Sequence, residues 1–131
     1  MRMRRDVYSG VLKLNGEEDA ETLLEANNYA ASLRGLDRFE EAKALLRKMI
    51  PIARRVLGEG HETTLRMRWT YARTLYEDDD ATLEDLREAV TTLEEIEPTA
   101  RRFLGGAHPL TKTLEHHLKE ARSTLASFGA R

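Results

Sequence analysis

The amino-acid sequence predicts an all-α fold in which about six helices stack as antiparallel pairs into an α-solenoid. Three observations predict it. Glycines are few and separate long stretches rich in Leu, Ala, Glu and Arg, without β-branched alternation, which favours helices over strands. One short phrase recurs, as "LNGEEDAETL" from Leu14, "VLGEGHETTL" from Val56 and "FLGGAHPLTKTL" from Phe103. The text between the phrases also repeats in register. Thr22-Leu23 and Tyr29-Ala30 return 42 residues later as Thr64-Leu65 and Tyr71-Ala72, while Ala42, Pro51, Arg54-Arg55 and Leu57-Gly58 return 47 residues later as Ala89, Pro98, Arg101-Arg102 and Leu104-Gly105. The five extra residues lie in one turn, where "LRGLDRFEEA" becomes "LYEDDDATLEDLREA". An insertion confined to a turn, with both flanks in register, marks a structural repeat.

The elements follow in chain order. Subtracting 42 from the apolar positions Leu45, Met49, Ile50, Ala53 and Val56 gives Met3, Val7, Tyr8, Val11 and Leu14, so residues 1–15 are expected to be the second helix of a half-repeat. The first full repeat, 16–58, opens with a helix capped by Asp19 and stopped at Gly35. Its second helix begins at "DRFE", where Asp37 caps and Glu40 reaches back to the cap's amide, and ends at Gly58. The second repeat, 59–105, supplies helices from about Glu62 to Tyr76 and from about Leu83 to Phe103. In "GGAHPL", Pro109 suits the first position of a last helix because its missing N–H would be unpaired there anyway. That helix, within a degenerate third repeat at 106–131, has one apolar stripe of Leu110, Leu114, Leu118, Ala121, Leu125 and Phe128. Lys112 stands where the previous copy has Leu65, as expected of a solubilising cap. Pro51 and Pro98 fall inside both second helices and are expected to bend them, at about 3 kcal/mol each unless packing compensates.

The bulk numbers exclude several functions. With 131 residues, 40% hydrophobic and 34% charged, the chain is one folded domain. Its 21 Lys and Arg against 23 Asp and Glu leave a net charge of -2, which argues against nucleic acid as a partner. No cysteine is present, so thiolate metal sites are excluded, and no apolar run approaches the ~18 residues a membrane helix needs. A cytoplasmic protein without a membrane partner is expected. Nucleophile, base and orienting group do not occur at interpretable spacing, nor does a phosphate-cradling glycine loop, so neither an enzyme nor a cofactor is implied.

The junctions "LGEGHETTL" and "LGGAHPLT", the cores "ANNYAASL" and "RWTYARTL", and the second helix "FEEAKALLRKMIPIARRVLG" resemble the tetratricopeptide repeat of the kinesin light chain-like type. That resemblance implies a right-handed superhelix whose first helices line a concave groove, and a function in binding a protein or peptide. It also implies that Asn28, at the family's asparagine position, hydrogen-bonds the backbone of an extended peptide. Thr70 and His117 replace that asparagine in the next two copies.

On a helical wheel Leu65, Trp69, Tyr71, Ala72, Leu75 and Tyr76 form an apolar arc, and Arg66, Thr70, Arg73 and Glu77 face away from it. The groove candidates are therefore Leu24, Asn28 and Ala31 (with Gly35), Arg66, Thr70 and Arg73, and Thr113 and His117 (with Glu120). Arg66 and Arg73 share a face and are suited to hold a carboxylate through their planar forks, which suggests an acidic segment; the alternative is that both are paired within the helix surface. Trp69 is expected in the core more than at an interface. His61 and His108 hold equivalent junction positions and read as helix-start residues; "HETT" lacks the second histidine of a zinc motif, and adjacent His116 and His117 point about 100° apart, so no metal site is expected. "EDDDATLED" reads as a solvated turn, and the arginine pairs 54-55 and 101-102 as cations at helix C-termini. The alternative functions are a homodimer formed through Met3, Val7, Tyr8 and Val11, or a piece of a longer repeat protein.

Overall fold

The computed structural model describes residues 2–128; Met1 and residues 129–131, at the outer ends of the first and last expected segments, lie outside the described residues. Six helices account for the regular structure: α1 (Arg2–Asn15), α2 (Ala20–Gly35), α3 (Phe39–Val56), α4 (Glu62–Tyr76), α5 (Leu83–Leu104) and α6 (Pro109–Phe128). Each packs against the next in the chain, as expected of a solenoid built from antiparallel helix pairs. Beyond that, α2 touches α4 and α4 touches α6, whereas among the described residues the odd-numbered helices do not bring their backbones together, and α3 reaches α5 through the Arg47–Glu88 ion pair at 4.0 Å. One layer is therefore tighter than the other, and the stack curves toward the even-numbered helices.

The recurring phrase is a recurring turn. Gly16, Gly58 and Gly105 follow α1, α3 and α5 with φ of 85°, 96° and 96°, a left-handed conformation that a side chain would disfavour. Three residues later the next helix is capped. Asp19 accepts from the amides of Glu21 and Thr22, at 2.9 and 3.4 Å. At the equivalent places, His61 Nδ1 accepts from Thr63 N at 3.1 Å and His108 Nδ1 from Leu110 N at 3.0 Å. Both histidines thus have the helix-start role expected of them. Then comes a threonine that ties the new helix to the previous one: Thr22 Oγ1 donates to Val11 O at 3.5 Å and Thr64 Oγ1 to Ala53 O at 3.3 Å.

The second helix of the first pair starts differently from expectation. Asp37 does not cap α3; it adopts φ 60° and ends α2 instead, with Asp37 N donating to Arg34 O and Arg38 N to Leu33 O. This is a Schellman closure, and it places Asp37 in the left-handed position that aspartate tolerates. Arg38 becomes the N-cap residue without a side-chain cap, and Glu40 pairs forward with Lys43 at 2.6 Å. The longer turn before α5 does carry a capping box, between Thr82 and Asp85.

The core runs along the stack through Leu23, Leu33, Leu46, Met49, Leu65, Met67, Leu75, Leu86, Leu93, Ile96, Leu110 and Leu114, all fully buried. Tyr71 joins three helices: its hydroxyl accepts from Arg47 Nε of α3 at 3.0 Å and donates to Glu88 of α5 at 2.5 Å. Burial first, and the Glu88 carboxylate next, push this phenol up to about 12. Pro51 and Pro98 lie inside continuous helices at exposed positions. The carbonyls they leave without a helical partner, those of Arg47 and Glu94, belong to exposed residues, where water can replace the lost bond.

Candidate functional site

The curvature brings the outward sides of α2, α4 and α6 to one face, and most of the sequence-derived candidates are there. Leu24 is exposed, and Asn28, Ala31 and Thr113 are half-buried. Asn28 Nδ2 donates to Glu25 Oε1 at 2.8 Å, one turn back on α2, and Arg4 of α1 approaches the same carboxylate at 3.8 Å.

Two candidates belong elsewhere. Thr70 and His117 were expected to face away from the apolar arc, and both are buried. Thr70 Oγ1 turns back to Arg66 O at 3.0 Å, satisfying itself within α4. His117 Nδ1 lies 2.5 Å from Tyr76 Oη, a contact between α4 and α6 that closes the face from below. These positions are covered because neighbouring even-numbered helices touch, which a single-helix wheel cannot register. Tyr8, a candidate for self-association, is likewise buried, stacked at 5.8 Å on Tyr29 of α2. Met3 and Val7 remain exposed and Val11 half-buried.

The charged residues are organised across helices. Arg66 Nε donates to Glu62 Oε2 at 2.9 Å, and Glu62 also approaches His108 Nε2 at 3.5 Å. Arg73 Nε donates to Glu77 Oε2 at 2.8 Å, while the other oxygen of Glu77 accepts from Arg34 Nη1 of α2 at 2.7 Å. Both candidate arginines are therefore paired within the surface, as the plainer of the two sequence readings had it. Glu77, however, serves two guanidinium groups, and the Arg34–Glu77–Arg73 cluster keeps one positive charge in excess. Arg34 was not singled out from the sequence; its partner is 43 positions away, and no local pattern signals the pair.

Aromatic groups complete the face. The Arg73 guanidinium lies 5.3 Å from the Trp69 ring centroid, and Trp69 is 5.5 Å from the His117 ring. Trp69 packs on the core but is only half-buried, so it belongs to both core and surface. Glu120 Oε2 is 3.3 Å from His117 Nδ1 and 3.2 Å from His116 Nε2, so the two adjacent histidines do converge on one carboxylate. Among the described residues no group of three His, Asp or Glu side chains is placed to hold a metal ion. Burial, and then the positive charge of Arg73, hold the His117 imidazole below its ordinary value.

The arrangement offers paired charges, aromatic edges and small side chains on a curved surface, a chemistry suited to contact with another polypeptide. Residues 18–82, which span α2, α3 and α4, match the tetratricopeptide repeat family. That segment is thus similar to tetratricopeptide repeats, which generally mediate protein–protein interactions. No curated protein matches the chain. No helix among the described residues is long and apolar enough to cross a membrane.

Proposed function

We propose that this chain, whose residues 18–82 match the tetratricopeptide repeat family, binds an extended segment of a partner protein on its concave α2/α4/α6 face, with a carboxylate of the segment held by Arg34 and Arg73. The observation that carries the acidic preference is the sharing of Glu77 by two guanidinium groups. An incoming carboxylate gives the second guanidinium a partner of its own without breaking an existing pair. The site thus moves one helix away from the Arg66–Arg73 pair suggested by the sequence, since Glu62 already neutralises Arg66. Asn28 gives one N–H to Glu25 and keeps its carbonyl oxygen for a backbone N–H of the segment. The spacing of Gly16 and Gly58, and of Thr22 and Thr64, by 42 residues supports the kinesin light chain-like type of repeat.

The test compares an Asp- and Glu-bearing peptide with its Asn and Gln counterpart against the wild-type chain, R66A and R34A/R73A. The acidic peptide is expected to lose about tenfold or more in affinity for R34A/R73A, as for a charge-assisted pair, and little for R66A. Equal affinity of the two peptides for the wild-type chain would sink the acidic preference.

Self-association through α1 is the second reading, favoured by the exposure of Met3 and Val7 but not by Tyr8, which the core takes. The charge on α1 opposes it.

A further inference from the structure

Met3, Val7, Gly10 and Leu14 follow one another on α1 at steps of four, three and four, the spacing with which one helix presents a seam to another. The described residues cover this seam only in part, at Val7. Met3 is 76%, Val7 39% and Leu14 85% exposed, and a side chain added at Gly10 would meet nothing within 4 Å.

The first half of this seam is covered in the other two helices of its layer: Val7 corresponds to Met49 of α3 and Ile96 of α5, both 0% exposed, and Met3 to the half-buried Leu45 and the buried Thr92, whereas the equivalents of Leu14, Val56 and Phe103, are exposed as Leu14 is. The reason is neighbours: among the described residues α3 lies between α2 and α4, α5 between α4 and α6, while α1 packs against α2 alone. What would cover the seam is thus a helix, in the place that α2 occupies against α3.

Charge identifies the kind of helix. α1 carries Arg2, Arg4, Arg5 and Lys13 against the single Asp6, and Arg2 and Lys13 have no ion-pair partner among the described residues. A second copy laid antiparallel on α1 would bring these cations against each other. A head-to-tail copy would offer the outer side of α6, where Lys112, His116, Lys119 and Glu120 are exposed, which is polar and has no acidic excess to meet α1. A bilayer prefers a wide face with bulky apolar groups, whereas this seam is two residues per heptad with a notch at Gly10. We propose that α1 is a docking site for an acidic amphipathic helix of a partner protein, which packs on α1 as α2 packs on α3.

The probe is a synthetic helix of about four turns with Leu at the seam positions and Glu on both flanks, beside a version with Lys in place of Glu. Binding to the full chain is followed by peptide fluorescence anisotropy. The Glu helix is expected to bind the wild-type chain and the Lys helix not. M3D/V7D should abolish binding, and R2E/K13E should weaken the Glu helix at least tenfold and admit the Lys helix. All four substituted positions are exposed, and thermal melting confirms that the variants remain folded. R34A/R73A, which tests the concave face, should leave this binding unchanged. Equal binding of the two helices, binding that survives M3D/V7D, or no binding by either at millimolar concentration overturns the proposal. So does a doubling of mass in light scattering, which would make the occupant a second copy. Sedimentation with phosphatidylserine vesicles, if lost in M3D/V7D, would instead make it a membrane and equally overturn the proposal.

Discussion

The middle of the stack and its two ends use the same sequence positions differently. At the centre, Met49, Ile96 and Leu65 are fully buried, and Thr64 closes its hydrogen bond to Ala53. At the N-terminal end the equivalent of Met49 is Val7, 39% exposed. At the C-terminal end the equivalent of Leu65 is the exposed Lys112, and that of Thr64 is Thr111, whose buried hydroxyl has no partner among the described residues. A repeat fixes what a residue can do; the number of helices around it decides what it does. The ends also differ from each other, since α6 turns a polar side outward and α1 an apolar one.

The largest expected effect separates Met49 from Val7. Truncation of the buried Met49 to Ala removes contacts to two helices and leaves a cavity, for a loss of about 2–5 kcal/mol. Val7→Ala should cost under about 1 kcal/mol, as at other partly solvated sites. Urea denaturation of the two variants checks this, and similar losses would mean that the seam on α1 is covered in solution.

A smaller contrast is expected at the threonines. Thr64→Val forfeits a buried hydrogen bond and leaves the Ala53 carbonyl short of one donor, for roughly 1 kcal/mol or somewhat more. Thr111→Val removes a hydroxyl that is buried without a partner among the described residues, and should be neutral or stabilising. Thermal unfolding of both variants decides it; equal destabilisation would show that Thr111 closes the same bond in solution.

The smallest effect concerns the position that is Thr70 in α4 and His117 in α6. Only the latter titrates. His117 is faced by Arg73 and Tyr76 of α4, by Glu77 just after it, and by His116 and Glu120 of its own helix, with burial and Arg73 lowering its value and the two carboxylates opposing them. Because the folded-state value lies below the ordinary 6.5, the folded chain binds the proton less readily than the unfolded one. Its contribution is therefore fully present above that ordinary value and is lost as pH falls through the folded one. Between pH 7.5 and 5 the wild-type chain should lose more stability than H117Q, while T70S should track the wild type. Parallel pH profiles for wild type and H117Q would remove His117 from the account.

Much of the fold was legible because its signals are local. Glycine with positive φ, a cap three residues on and a threonine three beyond it form one turn, repeated wherever the phrase recurs, and five of the six helices begin and end within a few residues of their expected places. The miss at Asp37 was also local, a contest between ending α2 and starting α3 that the backbone hydrogen bonds of Arg34 and Leu33 won. The candidate site was less legible. Leu24 is exposed and Asn28, Ala31, Arg66, Arg73 and Thr113 are half-buried, while the groove candidates Thr70 and His117, and the self-association candidate Tyr8 on α1, are buried.

By itself the sequence determined the helices, their order and the equivalence of positions 42 and 47 apart, because turn chemistry and apolar periodicity act over a few residues. Only the tertiary structure decided which equivalent positions are covered, that Arg34 and Arg73 share Glu77, and that one side of α1 is covered only in part. Those depend on which helices lie beside a given face and how closely, and that proximity joins residues tens of positions apart whose pairing leaves no mark in the chain between them.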